Sequence, residues 1–151
     1  EIQGLGEQAV CVEQMTAKAC RKELQKIRET IGTVTEEPAV FFRIPGGEYN
    51  NEVLRTIYAC GSYPVAWSVD SMDWKEYEAG ELVRQLLQSC TIRDGEILRF
   101  HEEGENTGEM VKLLHPRLKE EGYEAVTVSQ MVYKDRYRMT TDGRQIPEKS
   151  K

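Results

Sequence analysis

Three short segments of this sequence gather the residue types that acid–base chemistry and anion stabilisation require. Arg43-Ile44-Pro45-Gly46-Gly47 sets a guanidinium beside a glycine turn. Asp70-Ser71-Met72-Asp73-Trp74 supplies two carboxylates and an indole, and Phe100-His101 supplies an imidazole. A carboxylate beside a histidine fixes the ring tautomer and favours its protonated form, as a general acid requires. Taken singly, an Asp or Arg at a strand end is an ordinary loop cap or ion pair. The coincidence of all three segments favours a polar site. Metal chemistry has less to work with. The chain has two histidines, His101 and His115, and four cysteines, Cys11, Cys20, Cys60 and Cys90. No Cys-x-x-Cys pair occurs, which excludes a zinc knuckle or a thioredoxin-type motif. The cysteines read as buried reduced thiols, since free cysteine behaves as a small core hydrophobe.

The three segments matter because of the elements that must position them. Thr16 reads as an N-cap, with Ala17, Cys20, Leu24, Ile27 and Ile31 at helical spacing and Gly32 as the stop. Ala39-Val40-Phe41-Phe42 reads as a short buried strand that runs into the Arg43 segment. Asn51 is placed to cap a second helix carrying Val53, Leu54, Ile57 and Tyr58, ending at Gly61. Residues 65–69 form the next strand, running into Asp70. A third helix covers 79–90, and a strand over 95–101 ends on His101. A fourth helix spans 107–121, with Pro116 as a kink. Residues 124–131 alternate like a strand, and the polar tail from Thr140 reads as frayed.

This alternation of helix and strand implies an α/β fold of parallel strands with crossover helices. In such folds functional groups collect at the carboxyl ends of strands, where the three segments fall. The sheet is a small open one or part of a larger barrel. The 151 residues suit one domain, assigned to residues 1–135, followed by a polar tail over 136–151.

Composition narrows the function classes. The formal net charge is −6 and the pI is near 5.1, which argues against nucleic acid as a partner and against a polybasic membrane-surface role. No apolar run approaches the roughly 18 residues of a transmembrane segment. No signal-peptide pattern is visible.

The segments also resemble a known family. FFRIPGGEYNNEVL resembles the third motif of polysaccharide deacetylases, the NodB-homology domains of carbohydrate esterase family 4, with Arg43, Pro45, Gly47 and Asn50 at the motif positions. VAWSVDSMDWK resembles the fourth through Asp70, Asp73 and Trp74, and GEILRFH the fifth through His101. EEGYEAVTVSQM resembles the family's closing strand. The resemblance implies most of a distorted (β/α) barrel and metal-dependent removal of N-acetyl groups from N-acetylglucosamine-type glycans, in the cell wall and outside the cytoplasm. By position it implies that Arg43 orients a catalytic aspartate, Asp73 supports His101, and His101 protonates the leaving amine. It implies that the Gly46 N–H stabilises an oxyanion and that Trp74 walls the acetyl pocket.

Three departures accompany the resemblance. The family's early Asp-Asp strand has no counterpart before Arg43, so the chain is expected to start downstream of it. The second motif, laid without gaps on residues 3–16, sets the two metal-ligand histidines on Gln8 and Val12. Valine cannot ligate a metal, and glutamine is a weak neutral ligand for Zn²⁺. The expected cofactor content is therefore none, with Zn²⁺ or another divalent ion only if the site is completed elsewhere. The third departure is Arg99, which shares a strand face with His101 by period two and replaces the family's usual leucine. It is expected to fill or polarise the acetyl pocket, or to ion-pair at the strand end. Tyr49, in the loop after Arg43, is placed to stack on a sugar ring. His115 reads as an ordinary surface or core-edge residue, and Trp67 as structural.

The leading reading is a deacetylase-family domain that has lost metal-dependent catalysis and binds carbohydrate or acts as a scaffold. The alternatives are an active deacetylase whose Asp-Asp strand lies upstream, and a structural, homo-oligomer-forming α/β module.

Overall fold

A computed structural model describes residues 1–5, 16–36, 39–47 and 49–148. In chain order the elements are β1 (Gly4–Leu5), α1 (Ala17–Thr35), β2 (Phe41–Arg43), a 3₁₀ turn (Pro45–Gly47), α2 (Asn51–Ala59), β3 (Tyr63–Val65) and β4 (Val69–Asp70). There follow α3 (Ala79–Ser89), β5 (Leu98–Arg99), α4 (Thr107–Glu120), α5 (Val128–Met131), β6 (Tyr137–Met139) and β7 (Gln145–Pro147). Two compact units result. One holds residues 2–71 and 96–100, the other residues 1, 72–95 and 101–151.

In the first unit β1, β2 and β3 form a parallel sheet in that order, with Leu5 opposite Arg43 and Arg43 opposite Val65. The helices α1 and α2 are the crossovers, as parallel pairing demands. The helix α1 buries Cys20, Leu24 and Ile27, a stripe at steps of four and three residues. This stripe packs with Phe42, Ile44, Val53 and Ile57 in the core. Gly4 makes the approach possible, because a Cβ there would stand 2.7 Å from Ile27 Cγ2. The Thr16 hydroxyl accepts from the Ala19 amide at 3.3 Å and starts α1, as expected. A second parallel pair, β4 with β5, sets Val69 opposite Leu98 and Asp70 opposite Arg99.

In the second unit α3 buries Ala79, Leu82, Val83 and Leu86, and packs against α4, which buries Met110 and Leu114. The Tyr123 hydroxyl donates to the Ile92 carbonyl at 2.7 Å. The strands β6 and β7 form an antiparallel hairpin.

The α/β class and the parallel strands agree with expectation, and the described strands form open sheets with no closed barrel. Several boundaries need correction. Gly32 does not end α1, which runs to Thr35 and is closed by Glu36 in the left-handed region, its amide donating to the Gly32 carbonyl. Asn50, not Asn51, caps α2 by accepting from the Val53 amide at 2.9 Å. The expected strand over 65–69 is split, leaving Ala66, Trp67 and Ser68 between β3 and β4. Residues 124–131 are not a strand. Thr127 and Gln130 form a capping box that starts the short helix α5. In the tail expected to fray, residues 145–147 form the β7 strand of the β6–β7 hairpin. No helix among the described residues is long and apolar enough to cross a membrane.

Candidate active site

In the second unit, Asp73 lies just after β4 in the chain and is 1% exposed. A buried carboxylate is costly unless its oxygens receive donors. Asp73 has them. His101 Nδ1 lies 2.7 Å from Oδ1, and the His101 backbone N–H donates to both oxygens at 3.2 Å. The Thr107 hydroxyl donates to Oδ2. With Nδ1 turned to a carboxylate, a neutral imidazole carries its proton there, and proton exchange falls to Nε2. The His101 side chain is 12% exposed, so the pair combines a buried anchor with a nearly buried ring.

The segment from His101 to Thr107 winds tightly around this pair. The Gly104 amide donates to the His101 carbonyl at 3.2 Å, and the Thr107 amide to the Gly104 carbonyl at 3.1 Å. A Cβ on Gly104 would collide with the Asp73 carboxylate and the Thr107 hydroxyl. The Asn106 amide donates to the Tyr77 carbonyl at 2.9 Å. Trp74 follows Asp73 directly and is 53% exposed, with Lys75 Nζ 5.8 Å from its ring centroid.

The first unit carries Arg43 and Arg99. Arg99 Nη1 lies 3.6 Å from Asp70 Oδ2, and the guanidinium carbon stands 4.1 Å from the Trp67 ring centroid. Arg99 thus combines an ion pair with stacking on an indole. The strand β5 ends at Arg99, so strand alternation does not extend to His101. Arg43, at the end of β2, is half-buried. Burial, and then the like charge of Arg99, pull its guanidinium below the usual arginine range. Gly46 is exposed at φ 71°, and Gly47 has φ 79°. A Cβ on Gly47 would stand 2.7 Å from Trp67 Cη2, so this turn and the indole pack against each other only because residue 47 is glycine. Tyr49 is 43% exposed.

Three residues escaped the sequence reading. Thr107 reads in sequence as a helix start and Trp67 as structural, and Gly104 draws no reading. The only signal was the spacing Gly104-x-x-Thr107 after a histidine, which is also ordinary helix-entry chemistry. His115 is exposed, as expected of a surface residue.

The metal positions stand differently. Gln8 and Val12 lie outside the described residues. Among the described residues no three His, Cys, Asp or Glu side chains gather closely enough to hold a metal ion.

No family model matches the chain. It is similar to the peptidoglycan N-acetylglucosamine deacetylase PgdA of Listeria monocytogenes, at 30% identity over 121 residues. The match covers 78% of this chain and 25% of that protein, so the chain spans a quarter of that relative's length. Among solved structures it resembles the wild-type carbohydrate esterase family 4 pseudoenzyme of Bacillus anthracis, with a TM-score of 0.79, 24% identity, and coverage of 87% of this chain and 46% of that one. It also resembles a family 4 acetyl xylan esterase of Clostridium thermocellum, solved with a cobalt ion. There the TM-score is 0.75 and the identity 23%, over 87% of this chain and 63% of that one. The shared parallel fold, the order of the Arg43, Asp73-Trp74 and His101 motifs, and the deacetylase relative together make this chain a member of the polysaccharide deacetylase family, the NodB-homology domains of carbohydrate esterase family 4.

Proposed function

We propose that this domain recognises N-acetylglucosamine-containing glycan of the cell wall, outside the cytoplasm, and has lost metal-dependent turnover. The observation that carries the reading is an asymmetry. In the Asp73–His101 pair a buried carboxylate receives three hydrogen-bond donors from the described residues. The family's metal positions fall in sequence on Gln8 and Val12, a weak ligand and no ligand. The residues present do not fit a family-type metal site, and no step is derived through one. The pseudoenzyme neighbour is a precedent for the fold without the activity.

On this reading each residue has a binding role. In the second unit the exposed indole of Trp74 offers an apolar face to a pyranose, and in the first unit the exposed ring of Tyr49 offers another. His101, held by Asp73, presents Nε2 to a polar group of the amide. The Gly46 N–H offers a donor to a carbonyl oxygen, and Arg43 keeps that loop end positive.

Titration with chitooligosaccharides, after loading with Zn²⁺ or Co²⁺ and elemental analysis, tests the proposal. The expected result is saturable binding, no stoichiometric metal and no released acetate. Stoichiometric metal with steady deacetylation overturns it. The second reading, an active deacetylase whose Asp-Asp strand lies upstream, is also supported by the intact Asp73–His101 pair, and the same assay on a longer chain that includes the gene's upstream sequence tests it.

A further inference from the structure

We propose that Thr107 is a positioning residue for the Asp73–His101 pair, its hydroxyl locking the plane of the carboxylate, with Gly104 providing the clearance. The argument starts from torsions. The terminal torsion of an aspartate is broad, so packing alone leaves the carboxylate free to swing about it. A swing would carry Oδ1 off His101 Nδ1. The His101 N–H spans both oxygens and so selects neither. Thr107 touches Oδ2 alone and thereby assigns the two oxygens different partners.

The proton inventory supports the same assignment. Thr107 has one hydroxyl hydrogen and three acceptors within reach: Asp73 Oδ2, the Gly104 carbonyl at 2.8 Å and the more distant His101 carbonyl at 3.4 Å. The Gly104 carbonyl already accepts the Thr107 amide at 3.1 Å. A buried anionic oxygen is the stronger acceptor, so the hydroxyl proton goes to Asp73. Thr107 is also the first residue of α4, whose inner face is fixed by Met110 and Leu114, both buried. The carboxylate plane is thus tied to the register of a packed helix. Gly104 completes the device, because any side chain there would occupy the space in which the Asp73 and Thr107 oxygens meet.

The functional meaning of this lock rests on the proposed role of His101 in amide recognition, but its test does not. The probe is ring-nitrogen and ring-proton NMR of the full chain without ligand, where His101 and exposed His115 are the only imidazoles. Thr107→Val removes the hydroxyl at nearly constant shape, and Thr107→Ser keeps it. Thr107→Val is expected to speed exchange of the His101 Nδ1 proton about tenfold or more, the factor expected when a hydrogen bond to a charged group is lost. His115 should not change, and Thr107→Ser should match the parent. A folded Thr107→Val with unaltered His101 signals overturns the proposal. Equal disturbance by Val and Ser also overturns it, since the hydroxyl would then not be the cause. Unfolding of the valine variant alone, with the serine variant intact, traces the loss to the hydroxyl and supports it. Absent glycan binding would refute the functional reading and leave these spectra as predicted, so the two fail separately.

Discussion

Replacing Asp73 by alanine and by asparagine separates the parts of its buried network. The side chain is fully buried and receives His101 Nδ1–H, the His101 backbone N–H and the Thr107 hydroxyl. In Asp73→Ala all three donors lose their acceptor. Thr107 can turn its hydroxyl to the Gly104 carbonyl at 2.8 Å, so that loss is partly recovered. The His101 ring, 12% exposed, can be partly rehydrated. The backbone N–H has no such escape. At about 1–3 kcal/mol for each buried donor left unsatisfied, with one of the three recovered, the alanine variant should lose roughly 2–6 kcal/mol. In Asp73→Asn the carbonyl oxygen can keep both His101 donors while the amide NH₂ donates to Thr107, which passes its own proton to Gly104. What remains is the loss of charge assistance, roughly 1–2 kcal/mol over two bonds. Urea denaturation of the three proteins measures both values. The opposite amide orientation would force the neutral His101 proton onto Nε2, which ring-nitrogen NMR detects directly. Equal stability of the asparagine and alanine variants, or an alanine variant within about 1 kcal/mol of the parent, would refute the picture of a fully donor-satisfied carboxylate.

Two further outcomes follow from the first unit. Gly47→Ala places a Cβ 2.7 Å from the Trp67 ring at φ 79° and should cost roughly 2–4 kcal/mol, whereas Gly46→Ala, at φ 71° in open space, should cost only about 1 kcal/mol. Denaturation followed by tryptophan fluorescence distinguishes them, and equal costs would contradict the packing of the turn on Trp67. Cys20 is 1% exposed, and its thiol is pushed up by burial first and then by nearby Cys60. A raised thiol holds less thiolate at a given pH, so iodoacetamide at pH 8 should label Cys20 about tenfold or more slowly than half-buried Cys90. The gap should narrow as pH rises, and mass spectrometry showing equal rates at pH 8 would contradict it.

The four long helices were legible because each repeats apolar residues at helical spacing over two turns or more. Their ends were not, because an end depends on a hydrogen bond rather than a pattern. Gly32 has the residue type of a stop, yet the carbonyls that need a partner find it in the Glu36 amide one turn later. The alternation of Val126 and Val128 was a genuine strand pattern, but the Thr127–Gln130 capping box satisfies the local backbone in a helical turn. The apolar run from Val65 to Val69 breaks at Trp67 for a tertiary reason. Its indole packs on the Gly47 turn and beneath Arg99, contacts that no local pattern encodes. A glycine at residue 47 and an arginine at residue 99 are both needed to see why the strand stops.

The candidate site divides along the same line. Asp73 and His101 were readable because their side chains carry chemistry and their spacing fits strand ends. Thr107 and Gly104 were not, because a threonine that opens a helix and a glycine in a loop are commonplace. The structure gives these commonplace residues their meaning through a cost. A buried carboxylate contributes no more stability than well-packed apolar atoms in the same space would, and it is destabilising once any partner is lost. Stability of the fold therefore does not explain a carboxylate at residue 73, still less a carboxylate, a hydroxyl and a bare α-carbon fitted to one another. Holding one imidazole with its Nδ1 fixed does explain them. A domain that had lost its metal and all use for this surface would have no physical reason to keep His101 so held. The Asp73–Thr107 lock thus favours a binding role for the histidine over that of an inert scaffold.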